Sequence, residues 1–322
     1  MANSVGFSVY KVTVNNKNQR EYWEMYYGYP SHDGFTLITE ILKSIKNQLI
    51  RVDDEKNEDG EYIDNRAAKI INLTKDVDSR TIEGVMLKGE AGHIKEVYNL
   101  ETLSEEPEYT IGKDQADLMP LFFRFYIPDG MKHGILMLQT YGIQGIKSYI
   151  TEILNSRASD HTIKITQLMD EKVLKQFAKQ GKMQDVYLVN SGKSTSSIEA
   201  LRNTRIAHST LDSEDKLELK MHRKKGHSAA VLHKIINCIR NKEKLQEEIE
   251  TPMRNYDDVL IEIKQGGKKQ KFSLLNPDDS PIRYDVTSKI IIGYNGYPTL
   301  ESLKLSAEYV WESIQSILGI EV

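Results

Sequence analysis

The most constraining feature of the sequence is a largely apolar segment between residues 121 and 141. It contains two runs, Leu121–Ile127 and Gly134–Tyr141, on either side of Asp129-Gly130. Short apolar runs bounded by turn residues are typical of buried strands. Asp-Gly is a common turn pair between two such strands. We therefore predict a central hairpin, or two neighbouring buried strands, at this point of the chain.

Strand and helix patterns alternate along the rest of the chain. Val5–Val14 alternates like a strand, and residues 35–49 have the apolar spacing of a helix that Asp33 would cap. A long helix is predicted from Ser228 to about Glu250, and a last helix, capped by Thr299, reaches Leu318. Paired strands interrupt this alternation, which disfavours a purely parallel sheet. We predict an α+β fold with mixed, largely antiparallel sheets covered by helices.

The length of 322 residues is sufficient for two domains. The polar segment 155–160 is the best candidate boundary. We predict an N-terminal α+β domain at 1–155 and a C-terminal α/β-like domain with a terminal helix at 156–322.

Composition restricts the classes of ligand. With 43 basic and 47 acidic residues, the net charge is -4, so any attraction to nucleic acid must come from a local patch. The single cysteine, Cys238, excludes a disulfide within the chain, and its apolar surroundings predict a buried thiol. The histidines show no metal-binding spacing. We expect no metal and no cofactor.

The expected compartment is the cytoplasm. The longest apolar stretches are far shorter than the ~20 residues of a membrane-spanning helix, so we expect no membrane span. The first residues lack a basic region followed by an apolar run, which is the pattern of a secretory signal.

A basic turn, defined as residues 220–227, is the strongest candidate for binding an anion. Six of its eight residues are basic or histidine: Lys220, His222, Arg223, Lys224, Lys225 and His227. A cluster of this kind before a helix N-terminus is typical of phosphate contacts. We predict that it binds the backbone of DNA or RNA. The alternative interpretation is an ordinary solvated turn.

A second segment, 201–208, resembles the Arg-Asn-x-Ile-Ala-His element of HEPN-type ribonucleases. It reads Leu-Arg-Asn-Thr-Arg-Ile-Ala-His, with one residue inserted relative to that element. The resemblance implies metal-independent RNA cleavage, with His208 as acid–base group and Arg202 or Arg205 as the phosphate-binding cation. The HEPN fold is all-helical, whereas strand patterns flank this segment.

Two other interpretations of the sequence are a metal-dependent nuclease site and an oligomeric scaffold. The pair Glu262 and Lys264 on a strand matches the pattern of metal-dependent nucleases, although an ordinary polar strand face is the favoured interpretation. An oligomeric scaffold without catalysis is a further alternative. Its interface would use the apolar end 309–318 and the tyrosine cluster 22–29.

The order of the apolar elements resembles that of uncharacterised bacterial proteins, some of which are carried near phage-defence genes. The resemblance depends on the two apolar runs, on Gly-Ile-Gln-Gly-Ile-Lys at 142–147 and on Gly-Tyr-Pro-Thr-Leu-Glu-Ser at 296–302. It implies a bacterial, intracellular, antiviral setting. It does not imply a mechanism. Separately from this resemblance, we expect a protein partner or a homo-oligomer.

Overall fold

The structure is a computed structural model. It describes residues 4–16, 22–23, 33–52, 56–58, 62, 65–103, 105–129, 131–168, 182–190, 217–222, 237–238, 241–249, 258–265, 268–275 and 283–318.

Fifteen strands and four α-helices are described. The strands are β1 (Val5–Asn16), β2 (Tyr22–Trp23), β3 (Leu49–Arg51), β4 (Arg66–Asp76), β5 (Thr81–Glu90), β6 (Lys95–Val97), β7 (Tyr109–Ile111), β8 (Met119–Tyr126), β9 (Gly134–Tyr141), β10 (His161–Gln167), β11 (Lys182–Asn190), β12 (Leu217–His222), β13 (Asp258–Gln265), β14 (Lys268–Ser273) and β15 (Arg283–Asp285). The helices are α1 (Gly34–Ser44), α2 (Lys147–Arg157), α3 (Lys242–Ile249) and α4 (Leu300–Leu318), and a 3-10 turn covers Thr287–Lys289.

The chain divides into two compact units. The first contains Met1–Thr166 and Arg283–Trp311, and the second contains Gln167–Ile282 and Glu312–Glu321. The first unit is therefore discontinuous in sequence, because the chain returns to it after the second unit.

The first unit contains a nine-stranded sheet that is curled into a half-barrel. Its main order is β10-β1-β9-β8-β5-β4-β3, and β15 and β2 also pair with β1. The pairings from β1 through β9, β8, β5 and β4 to β3 are all antiparallel. A two-stranded sheet of β6 and β7 lies in the connection between β5 and β8.

The predicted α+β class is wrong, because the protein is mostly antiparallel sheet with few helices. Long strands connected directly to their neighbours replace the expected alternation of strands and helices. The pairs β4–β5 and β8–β9 are both formed by strands consecutive in the chain. Antiparallel neighbours need only a short turn, so these pairs form without helical crossovers.

The predicted central hairpin is confirmed. β8 and β9 pair antiparallel, with Phe123 opposite Leu138 and Phe125 opposite Leu136. They lie in the middle of the sheet, between β5 and β1. Residues 121–127 and 135–138 are all buried, because both faces of this part of the sheet are covered.

Helices α1 and α2 contribute to the core on one face of the sheet. Asp33 caps α1 as predicted, since its carboxylate accepts a hydrogen bond from the Thr36 amide at 2.7 Å. The buried positions Phe35, Ile38 and Leu42 follow the helical period and join a core that includes Phe123 and Leu138. The helix ends at Ser44, earlier than predicted, and residues 49–51 form β3.

Helix α4 packs on the opposite face of this sheet. The part that does so, residues 300–311, belongs to the first unit. Leu303, Ala307, Val310 and Trp311 recur three or four residues apart and are buried. The indole ring of Trp311 stacks on Tyr126 of β8, with ring centroids 4.0 Å apart. The predicted extent of this helix, to Leu318, is confirmed.

The second unit contains a four-stranded antiparallel sheet of order β12-β11-β13-β14. The predicted hairpin at 259–275 is present as β13 and β14. Residues 228–236 of the helix predicted from Ser228 to about Glu250 lie outside the described residues. Residues 237–238 form a turn, and Asn241 caps α3 by accepting from the Lys244 amide at 3.0 Å. Cys238 is buried, as predicted.

In the part of the chain that the structure describes, no helix combines the length and apolar character that a bilayer crossing needs.

The central hairpin predicts a large difference between two leucines. Leu136 is fully buried, whereas Leu49 on the outermost strand β3 is 63% exposed. Leu136→Ala should lower the free energy of unfolding by about 2–5 kcal/mol, because it leaves a cavity between the sheet and its helices. Leu49→Ala should change it by less than about 0.5 kcal/mol. Urea denaturation measures both, and equal losses would contradict the assignment of β9 to the core.

Candidate nucleic-acid interface

The sheet of the second unit has one apolar and one polar face. On β13, Val259, Ile261 and Ile263 are fully buried. The alternate positions Asp258, Leu260, Glu262 and Lys264 lie on the other face, which is mostly polar, because successive strand residues alternate between the two sides. The register places residues of the neighbouring strands on the same polar face.

Three lysines occupy adjacent positions across this polar face. Lys264 of β13 is opposite Lys182 of β11 on one side and opposite Lys269 of β14 on the other. Opposite residues in an antiparallel pair have Cβ atoms ~5 Å apart, and like charges at that separation repel. The lysine row, defined as Lys182, Lys264 and Lys269, therefore concentrates positive charge at one end of the sheet.

The strand that leads into the basic turn ends at this same end of the sheet. β12 is antiparallel to β11, so it ends where β11 begins. Lys220 is opposite Tyr187 and His222 is opposite Asp185, one cross-strand row from the lysine row on that face. The backbone thus places His222 near the end of the sheet that carries Lys182 and Lys264.

The other end of the polar face is acidic. Glu218 of β12 is opposite Val189, which is in turn opposite Asp258 of β13. Asp185 and Glu262 occupy the row next to the lysines, so only the last row of the face is uniformly basic. A polyanion would be attracted to the lysine end.

In the middle of this face, two buried side chains form a hydrogen bond with each other. The Tyr187 hydroxyl donates to Glu262 at 3.1 Å, and both residues are buried. The exposed Lys271 places its ammonium group 3.9 Å from the centre of the Tyr187 ring. Glu262 thus contributes to the packing of the sheet through this hydrogen bond.

Only part of the predicted site lies within the described residues. Lys220 and His222 lie on β12, whereas Arg223, Lys224, Lys225 and His227 lie outside the described part of the chain. The candidate catalytic residues Arg202, Arg205 and His208 lie outside it as well, so the ribonuclease interpretation stays a prediction.

The lysine row was missed by the sequence reasoning. Lys264 and Lys269 are visible in the sequence as members of one hairpin, and its register is the available signal. Lys182 joins them only because β11 pairs with β13 across a long separation in sequence.

Among the described residues, no group of three or more histidine, cysteine, aspartate or glutamate side chains is arranged to hold a metal ion.

A second cluster of charged residues lies on the buried α4 face of the first unit. Arg124 of β8 donates to Glu83 of β5 at 2.7 Å and to Glu308 of α4 at 2.6 Å. It also donates to the Tyr126 hydroxyl at 2.8 Å, and Lys304 of α4 contacts the other oxygen of Glu83 at 2.6 Å. Each of these charged groups has an opposite charge beside it, which lowers the penalty of removing it from water.

This cluster attaches α4 to the sheet. Burial by itself would raise the pKa of Glu83, but the hydrogen bond from Lys304 and the charge of Arg124 outweigh it and hold the pKa below its ordinary value. Burial raises the pKa of Tyr126, so its hydroxyl stays protonated. Because these groups satisfy one another, their arrangement fits a structural role.

Comparison with protein-family models and with curated proteins finds no match to this chain.

The charge cluster predicts an acid-sensitive contribution to stability. Glu83→Gln should destabilise the first unit by about 3 kcal/mol at neutral pH, because Arg124 and Lys304 lose a shared carboxylate. The folded-state pKa of Glu83 is lowered, so its contribution is complete above the ordinary value of 4.5 and is lost as the pH falls towards the lower folded-state pKa. The difference between variant and parent should therefore shrink in acid.

Urea denaturation from neutral pH down to the acid range measures this difference. Glu40→Gln, at an exposed position of α1, is the matched control and should stay within about 0.5 kcal/mol of the parent. A pH-independent difference for Glu83→Gln would show that the loss comes from packing and not from the carboxylate charge.

Proposed function

We propose that this protein binds the phosphate backbone of nucleic acid through the basic end of its second unit, formed by the lysine row and the basic turn. The observation that supports this proposal most directly is the strand register. It places Lys182, Lys264 and Lys269 side by side at the end of the sheet where β12 ends. Lys220 and His222 of the basic turn lie on β12 of the same sheet, although they are far from Lys264 and Lys269 in sequence.

The energetics of the lysine row support an anionic partner. Like charges at directly opposite positions destabilise a sheet, and a bound phosphate offsets that repulsion. Lysine is a point charge and a common phosphate ligand, and it carries no information about base identity. The proposed binding is therefore independent of sequence and sensitive to salt.

The overall charge restricts the binding to this region. Because the whole chain has a net charge of -4, it has no general affinity for polyanions. The acidic positions Glu218 and Asp258 at the far end of the same face orient a polyanion towards the lysine end. A role in a defence system, inferred from the sequence alone, stays a prediction.

Neutralising the lysine row tests the contribution of the sheet. Lys182→Gln, Lys264→Gln and Lys269→Gln in one protein should reduce the slope of log affinity against log salt by up to about 3 on duplex DNA, because about three phosphate contacts are lost. Fluorescence anisotropy of labelled DNA and RNA at low and high salt measures the slope. Lys43→Gln, Lys75→Gln and Lys113→Gln, at exposed positions of the first unit, form the matched control.

An unchanged slope in the lysine-row variant would remove these residues from the interface. An equal reduction in the control protein would show that binding follows total charge and not a site.

Charge reversal of the basic turn tests the other half of the site. Arg223→Glu, Lys224→Glu and Lys225→Glu together should abolish binding in an electrophoretic mobility assay, because repulsion replaces three attractive contacts. The assay is run with and without EDTA on RNA and DNA. If the variant binds as the parent does, the turn is not part of the interface.

A further inference from the structure

The connection between β5 and β8 is much longer than is needed to join these two strands. The two strands are adjacent and antiparallel in the sheet. About two to five residues are sufficient to join such strands. Here the chain instead extends from residue 91 to residue 118 and folds into a small unit of its own.

We call residues 94–111 the β6–β7 arm. β6 and β7 pair antiparallel with each other, with Val97 opposite Tyr109, and with no other strand in the described part of the chain. A two-stranded ribbon is marginally stable by itself in water. Each strand of the arm therefore has one edge that pairs with no other strand among the described residues, and such an edge is a template for strand addition.

The arm is held in shape by internal hydrogen bonds. The Glu108 amide donates to the Val97 carbonyl at 2.8 Å, and the Leu103 amide donates to the Asn99 carbonyl at 3.0 Å. The Asn99 side chain donates to Glu108 at 2.8 Å. The arm is thus a preorganised surface, which lowers the entropic penalty of binding.

The arm exposes large apolar side chains. Leu100 is 82% and Leu103 is 76% exposed, and Ile94, Val97, Tyr98 and Tyr109 are also exposed. Leu103 in addition has a positive φ of 48°, a conformation that is rare for bulky residues. In the isolated chain, an exposed position with a positive φ is unfavourable for leucine. Contiguous exposed apolar groups of this kind mark interaction sites.

The charge of the arm indicates what it binds. Residues 94–111 contain five glutamates and one lysine, Lys95. Two arms would repel each other, which disfavours pairing between copies through this surface. The complementary partner combines apolar side chains with lysine or arginine and offers an edge for strand pairing.

We propose that the β6–β7 arm is a docking site for an extended segment of another protein in which basic and large apolar residues alternate. The segment adds to an outer edge of the arm, its apolar side chains cover Leu100 and Leu103, and its basic side chains face the glutamates. This site lies in the first unit and is independent of the proposed nucleic-acid interface.

The test uses the full chain and a labelled synthetic peptide in which lysine alternates with valine. Fluorescence anisotropy should detect binding that weakens with salt, and the corresponding glutamate–valine peptide should not bind. Leu100→Ser with Leu103→Asn should weaken binding by about tenfold or more, because the apolar contact is lost. Asn is chosen because it tolerates the positive φ at this position.

Three controls separate the outcomes. Leu305→Gln removes an equally exposed leucine from α4 and should bind the peptide like the parent. A combined Glu101→Gln, Glu105→Gln and Glu106→Gln variant should reduce the salt dependence while keeping the apolar surface. The Leu100/Leu103 variant should still bind nucleic acid with the affinity of the parent.

The proposal is overturned if the parent does not bind the lysine peptide, or if the Leu100/Leu103 variant binds it equally well. It is also overturned if sedimentation shows that the parent self-associates and that this variant does not, since a second copy would then cover the arm.

Discussion

The structure of the first unit depends on the burial of β8 on both faces. One face of this strand packs against the core of α1 and α2, and the other carries Arg124 under helix α4. A guanidinium group in that position is tolerated only because Glu83, Glu308 and the Tyr126 hydroxyl all contact it. The same contacts fix α4 on the sheet, next to the stacked pair of Tyr126 and Trp311. The stretch 309–318, which is a candidate oligomer interface in the sequence, thus contributes Trp311 to the interior of its own chain.

The antiparallel sheets of the two units differ in the residues that their faces carry. In the first, the sheet is a central layer whose faces are both buried over β8 and β9. In the second, β13 has one apolar face, and its other face is mostly polar and ends in a basic row at Lys264. The two proposed binding surfaces differ in the same way, since the lysine row suits a polyanion and the acidic, apolar β6–β7 arm suits a basic protein segment. A protein with both surfaces would connect a nucleic acid to a protein partner.

Local features of the fold were predictable because they depend on residues close in sequence. The Asp33 cap, the β8–β9 hairpin and the β13–β14 hairpin are each decided by turn and cap residues within a few positions of the strands and helices they join. The fold class was wrong because helical and strand patterns do not reveal how many strands join one sheet. The turn at residues 237–238 and the start of α3 after Asn241 were missed because Asn241 also fits the interior of a polar helix, where its capping role is invisible.

By itself, the sequence determined the buried hairpin, the buried Cys238 and the clustering of basic residues at 220–227, because composition and short-range spacing are sufficient for these. Only the tertiary structure decided that β15 and α4 return to the first unit and that Lys182 lies beside Lys264. Pairings of this kind depend on long-range register, which is selected by the burial of whole faces and not by any residue within them. The partners of Arg124 were likewise set by the tertiary structure, because Glu83 lies opposite it only through the pairing of β5 with β8, and Glu308 reaches it only when a distant helix packs on the sheet.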